Sequence, residues 1–80
     1  MSRRAYLTRS LHMPALADKF ALNLKSERLR RKLSQEALAT KARLSVSYIS
    51  MLERRQRTPP LETLECLAKA LAVSPTSLLE

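Results

Sequence analysis

The sequence predicts an all-α domain, a compact bundle of five short helices, and three observations carry that prediction. Apolar residues recur at helical spacing along most of the 80-residue chain, and no alternating apolar/polar stretch is long enough for a useful strand. Ser34, Ser45 and Ser74 each stand just before such a periodic run, where a hydroxyl can cap a helix N-terminus. The first two runs are joined through Arg43-Leu44-Ser45, a turn too tight for their helices to lie side by side.

Residues 1–13 precede the domain proper, which is expected to occupy residues 14–80. Arg3, Arg4 and Arg9 alternate with Tyr6, Leu7 and Leu11, so this basic arm has three readings: loose packing, a contact to nucleic acid, or a contact to a second copy. Its Arg-rich, acid-poor composition also mimics a mitochondrial presequence, against which stands the domain that resumes within a few residues. Helix 1 is predicted from Pro14 to about Lys32, with proline in the first turn. Leu16, Phe20, Leu24 and Leu33 mark its inner stripe, helped by Ala21 and, at its edge, Leu29. Lys25 to Lys32 hold five cations and one acid, which reads either as a solvated helix end suited to the macrodipole or as a phosphate-contacting patch.

Helix 2 follows Ser34, with Glu36 in its first turn, Leu33 placed to staple onto Leu38, and Leu38, Ala39 and Ala42 inward. Helix 3 follows Ser45, with Leu44 placed to staple onto Ile49, and Ile49 and Leu52 inward. Ala39 supplies the small side chain that two steeply crossing helices need where they touch. The outer face of helix 3 carries Val46, Ser47, Tyr48, Ser50, Met51, Arg54 and Arg55. A capped helix with small polar and basic residues outward can enter the DNA major groove end-first. Pro59 and Pro60 then forbid helix, and helix 4 runs from Pro60 or Leu61 to near Ala72 with Leu61, Leu64, Leu67, Ala68 and Leu71 inward. Ser74-Pro75 is a cap followed by a first-turn proline, and Val73 can staple onto Leu78 in a short helix 5.

The run Q-E-x-L-A-x-x-A-x-L-S-x-S-Y-I-S-x-L-E-R, Gln35 to Arg54, resembles the helix-turn-helix of the Cro/CI-type (XRE-like) bacterial transcriptional regulators. The resemblance continues through Pro60 to Leu64 and Leu67 to Ser74, and covers roughly residues 20–80. It implies a lambda-repressor-like five-helix DNA-binding domain. Short members include phage repressors and the controller proteins of restriction-modification systems, and in length this chain looks most like the controllers. The resemblance implies base contacts from Val46, Ser47, Ser50 and Met51, and phosphate contacts from Gln35, Tyr48, Arg54 and Arg57. Val46, Met51 and Tyr48 also suit packing at the domain edge, and Arg54 suits a helix C-terminus. The family commonly pairs an arginine and a glutamate at the positions of Arg28 and Glu53. Local logic agrees, because Glu53 lies in the last turn of its helix, where the macrodipole disfavours an anion, and Arg28 lies four residues beyond Leu24. The family usually has glycine where this chain has Arg43, Arg55 and Ala72, yet the chain contains no glycine at all. A left-handed backbone costs other residues on the order of 1 kcal/mol each, so either that strain is tolerated or the turns close differently.

Bulk composition points the same way. Fifteen Lys and Arg against seven Asp and Glu give a net charge of +8. Residues 1–57 hold fourteen of the cations and four of the acids, so the excess surrounds the proposed reading element, the footprint of a nucleic-acid binder. No stretch reaches the roughly 18 apolar residues of a membrane span, and one cysteine, Cys66, excludes an internal disulfide and suits a reducing compartment, so a cytoplasmic, nucleoid-associated protein is expected. A chain without glycine has no glycine-rich phosphate loop or dinucleotide fingerprint, and one Cys with one His, His12, makes neither a structural zinc site nor a complete catalytic set. No enzyme activity and no cofactor are expected.

The leading expectation is a homodimeric regulator of double-stranded DNA, a repressor or self-regulating controller, that occludes RNA polymerase or recruits it to a neighbouring site. Its shared surface is expected at Leu78 and Leu79, with a contribution from the N-terminal arm. Two alternatives stand beside it: an antitoxin-type adaptor that neutralises a protein partner such as a toxin, and a non-specific nucleic-acid coat. An adaptor would tolerate loss of the basic residues, and a coat would bind random and specific duplex alike.

Overall fold

The computed structural model describes residues 16–80, so the arm over residues 1–13 and the helix start expected at Pro14 lie outside the described residues. Helix α1 spans Leu16–Arg30, α2 Gln35–Ala42, α3 Val46–Glu53 and α4 Leu61–Leu71, and a 3-10 turn over Pro75–Leu79 closes the chain. No strand occurs among the described residues. Helix α2 packs on α3 and α4, α1 packs on α3, and the closing turn packs on α1 and α4.

The serine caps set the helix starts. Ser34 Oγ accepts from Ala37 N at 2.9 Å and Ser45 Oγ from Tyr48 N at 3.1 Å, each taking a donor that has no partner within its own helix. Ser74 caps the last segment more weakly, at 3.3 Å from Ser77 N. The fifth helix expected from sequence is therefore corrected to a 3-10 turn. It has five residues, Pro75 lacks an N–H, and Ser77 Oγ bonds back to the Ser74 carbonyl at 2.7 Å, which favours the tighter winding.

The four α-helices of the described residues end alike, with a residue in the left-handed region: Lys32 (φ 57°), Arg43 (φ 60°), Arg55 (φ 63°) and Ala72 (φ 58°). Each end is a Schellman closure. At α2, Leu44 N donates to the Ala39 carbonyl at 2.9 Å and Arg43 N to Thr40 at 3.3 Å. At α4, Val73 N donates to Ala68 at 2.9 Å and Ala72 N to Lys69 at 3.1 Å, and the bonds after α1 and α3 follow the same pattern. The turns thus keep the geometry that glycine favours and carry the strain. The residues after three of these positions, Leu33, Leu44 and Val73, pack against the core, and that burial offsets the backbone cost. The left-handed Lys32 also stops α1 at Arg30, two residues short of the expected end.

The core is one cluster. Leu24 from α1, Leu38 from α2, Ile49 and Leu52 from α3, Leu67 and Leu71 from α4, and Leu78 from the closing turn are fully buried. Ala39 is buried in the same cluster. Three residues expected inside are instead exposed, Leu16 (58%), Leu29 (54%) and Leu61 (77%). Leu61 is the first residue of its helix, where the stripe runs off the domain, and Leu16 is the first described residue of α1. Leu29 is displaced because Arg28, one turn beyond Leu24, takes the inward position. Leu78 is buried, which removes it from the shared surface expected there, and Leu79 is half-buried against the core. Asn23 Nδ2 donates to the Leu78 carbonyl at 3.0 Å and ties the end of the chain to α1.

Candidate nucleic-acid interface

The candidate interface is built on α3. Its turn-by-turn repeat buries Ile49 and Leu52, which leaves Val46, Ser47, Ser50 and Met51 together on the opposite side. Val46 and Ser47 are exposed, and Ser50 and Met51 are half-exposed one turn further on. The cap by Ser45 leaves the N-terminal turn of α3 carrying two of these side chains outward. Tyr48 is half-buried and packs against the core, so only part of its ring and phenol is open to an outside partner.

The other end of α3 is held by charge. Arg28 Nε donates to Glu53 Oε2 at 2.7 Å and Arg28 Nη2 to Glu53 Oε1 at 3.1 Å, a bidentate pair whose side chains are 9% and 4% exposed. Arg28 Nη1 also donates to the Leu33 carbonyl at 2.9 Å. One guanidinium therefore joins α1, the α1–α2 connection and the C-terminus of α3. Gln35, expected among phosphate contacts, is half-buried and spends one amide N–H on the same carboxylate, Nε2 to Glu53 Oε1 at 3.1 Å.

The remaining cations divide by their partners. Arg30 and Arg31 pair with Glu27 on their own helix, and Arg55 pairs with Asp18 at the start of α1 at 3.3 Å. Lys25, Lys32 and Arg57 have no acidic partner among the described residues. Arg54 is exposed, and its Nη2 donates to Gln56 Oε1 at 3.3 Å. A cation without an acid beside it keeps its full attraction for a phosphate. Arg54 and Arg57, the residues just after α3, are thus both exposed. Sequence reasoning missed the Gln35–Glu53 bond, the Arg55–Asp18 pair and the Asn23 tie, because each joins residues far apart in the chain with no periodic signal. Among the described residues no group of three or more His, Cys, Asp or Glu is placed to hold a metal, and no helix is long and apolar enough to cross a membrane. Cys66 is exposed on α4.

Comparison with known proteins agrees with this geometry. The helix-turn-helix family model matches residues 24–78. An immunity repressor protein of Bacillus phage phi105 is 48% identical over 50 residues, which cover 62% of this chain and 35% of the repressor, so the chain spans about a third of that relative's length. The control protein C.SmaI of Serratia marcescens is 46% identical over 59 residues, covering 74% of this chain and 70% of that protein. Among solved structures, the restriction-modification controller protein C.AhdI from Aeromonas hydrophila superposes with a TM-score of 0.75 at 39% identity, covering 78% of this chain and 94% of that one.

Proposed function

Because the chain belongs to the helix-turn-helix family, we propose that it is a sequence-specific, double-stranded DNA-binding transcriptional regulator acting as a homodimer on an inverted repeat. The observation that carries this reading is the outward face of α3. Val46, Ser47, Ser50 and Met51 share it, above a helix end locked by the buried Arg28–Glu53 pair. Small polar and apolar side chains on a rigid helix suit base edges and thymine methyl groups in the major groove. Gln35, Tyr48, Arg54 and Arg57 flank that face as phosphate contacts, with Lys25 and Lys32 as further cations. The similarity to an immunity repressor and to control proteins favours regulation over a protein-binding adaptor. Binding would occlude RNA polymerase or recruit it beside the site, in the cytoplasm.

One reading helix spans too few base pairs for a useful site, whereas two helices related by a two-fold axis enter successive major grooves about 10 base pairs apart. Burial of Leu78 moves the dimer surface elsewhere. A groove lined by Leu16, Phe20, Pro59, Leu61 and Leu79 holds the most exposed large apolar side chain among the described residues, Leu61, and supplies the apolar area a second copy would cover. Selection of bound duplexes from a randomised pool, followed by footprinting upstream of the protein's own gene, tests the reading. Enrichment of an inverted repeat is the expected result, and enrichment of no sequence would count against it.

A further inference from the structure

Three cations meet around one recess between the C-terminal halves of α2 and α4. Lys41, Arg43 and Lys69 line it together with the small Ala42 and Ala70 and the exposed thiol of Cys66. Its volume is about 580 Å³, within the range of roughly 300–1,000 Å³ usual for small-molecule sites. A helix C-terminus favours a cation, which accounts singly for Lys41 in the last turn of α2 and Lys69 in the last turn of α4. It does not account for their convergence on one recess with no acid beside them. Lys41, Arg43 and Lys69 form no ion pair among the described residues. Glu65 even stands four residues before Lys69 on the same helix, the favourable order for an intrahelical pair, and the pair is not made. Lys69 lines the recess instead. The carbonyls of Ala39, Thr40, Ala68 and Lys69 accept the closing bonds of their helices, which leaves fewer free acceptors there to repel an anion.

We propose that this recess binds a small anion of the diphosphate class, with Lys41, Arg43 and Lys69 on its oxygens and Ala42 and Ala70 leaving room for its body. A cleft walled by charges of one sign concentrates counter-ions. The guanidinium of Arg43 can take two phosphate oxygens at once, and the two ammonium groups act as point charges beside it. One phosphate monoester carries roughly −1.5 to −2 near pH 7, so three cations match two linked phosphates better than one. None of the lining residues belongs to the α3 face, although Arg43 stands in the turn that leads into α3. The site therefore goes beyond the DNA-reading function proposed above and does not depend on it.

Cys66, the only cysteine of the chain, reports whether the recess is filled. The full chain is treated with neutral iodoacetamide at constant ionic strength, with inorganic diphosphate or adenosine diphosphate as the added anion. The expected result is a saturable slowing of Cys66 alkylation, roughly tenfold once the anion reaches about ten times its dissociation constant. Slowing by both anions makes the bare diphosphate group sufficient, and slowing by the nucleotide alone makes the ligand a nucleoside diphosphate. Lys69→Gln, at an exposed position, should raise the half-protecting concentration roughly tenfold. Lys19→Gln makes the same charge change on α1 and should leave that concentration within about twofold of wild type. Protection that is absent, that does not saturate, or that Lys19→Gln weakens as much as Lys69→Gln would overturn the site. Protection by a duplex selected by the wild-type protein from a randomised pool, in place of the small anions, would assign the recess to the DNA backbone and overturn it as well.

Discussion

Arg28 and Glu53 form a two-point ion pair, Nε to Oε2 at 2.7 Å and Nη2 to Oε1 at 3.1 Å, with both side chains at least nine-tenths buried. Their positions are 25 residues apart, at the end of α1 and the end of α3. A buried pair of this kind contributes little against an apolar replacement, but removing one partner strands a charge. Its structural consequence is orientation: the C-terminus of α3 cannot swing away from α1 without breaking both bonds. Arg28→Ala is therefore expected to lower stability by about 3 kcal/mol. Arg30→Ala, whose partner Glu27 lies on the same exposed helix surface at 3.7 Å, should stay within about 0.5 kcal/mol of wild type. Urea unfolding of both variants, of Glu53→Ala and of the Arg28→Ala, Glu53→Ala double mutant checks this. A coupling energy near zero in that cycle would contradict the account.

Ala72→Gly should stabilise the protein. Ala72 closes α4 at φ 58°, and relieving the left-handed strain gains about 1–2 kcal/mol. The added freedom of glycine in the unfolded chain returns about 0.4–1 kcal/mol. The net expectation is about 0.5–1 kcal/mol, read as a higher urea midpoint at constant m-value. A destabilised variant would mean that the Schellman closure at Val73 and Ala68 does not hold the backbone where the structure has it.

Substitutions on the α3 side of the domain should separate into two kinds. Arg54→Ala removes an exposed cation and should weaken every duplex, flattening the salt dependence by about one unit. Changes at Ser47 or Met51 should leave the slope alone and shift which bases are preferred. Site selection repeated with each variant, with titrations at several salt concentrations, distinguishes them. A base-specific change from Arg54→Ala with an unaltered slope would reverse the assignment.

Leu61 and Leu78 should behave oppositely. Leu61 is 77% exposed beside the apolar groove, so Leu61→Asp is expected to leave folding within about 0.5 kcal/mol of wild type and to weaken self-association. Leu78→Ala opens a cavity under the closing turn and should cost about 2–5 kcal/mol without altering the dimer constant of the folded fraction. Sedimentation equilibrium at several concentrations, beside thermal melts, reads both effects. A wild-type monomer at all concentrations, free and on DNA, would remove the dimer from the account.

The local signals were the legible ones. Ser34 and Ser45 announced the starts of α2 and α3 because a cap needs only its own next three residues, and Leu24, Leu38, Ile49, Leu52, Leu67 and Leu71 were marked as core by period alone. The pairing of Arg28 with Glu53 came from resemblance plus the dipole at the end of α3, while the third contact to the Leu33 carbonyl depends on where α1 stops. That stop was misjudged by two residues because Lys32, a good helix former, sits in a left-handed turn that composition does not reveal. Leu61 continued an apolar stripe past the edge of the domain, and period cannot say where a neighbouring element ends. Leu78 was misread for a related reason. Near the end of a chain it looked like free apolar surface, whereas the 3-10 turn and the Asn23 bond fold it inward. Gln35 was marked through the resemblance alone, as a phosphate contact, and only the fold brings Glu53 beside it.

Whether α3 reads sequence is decided by the affinity ratio of the wild-type protein for selected and scrambled duplex at one fixed, near-physiological salt concentration. A sequence-reading helix gives a preference of roughly 10³-fold or more for the selected duplex. Equal affinity for the two would contradict it, and the basic face would then be that of a non-specific coat.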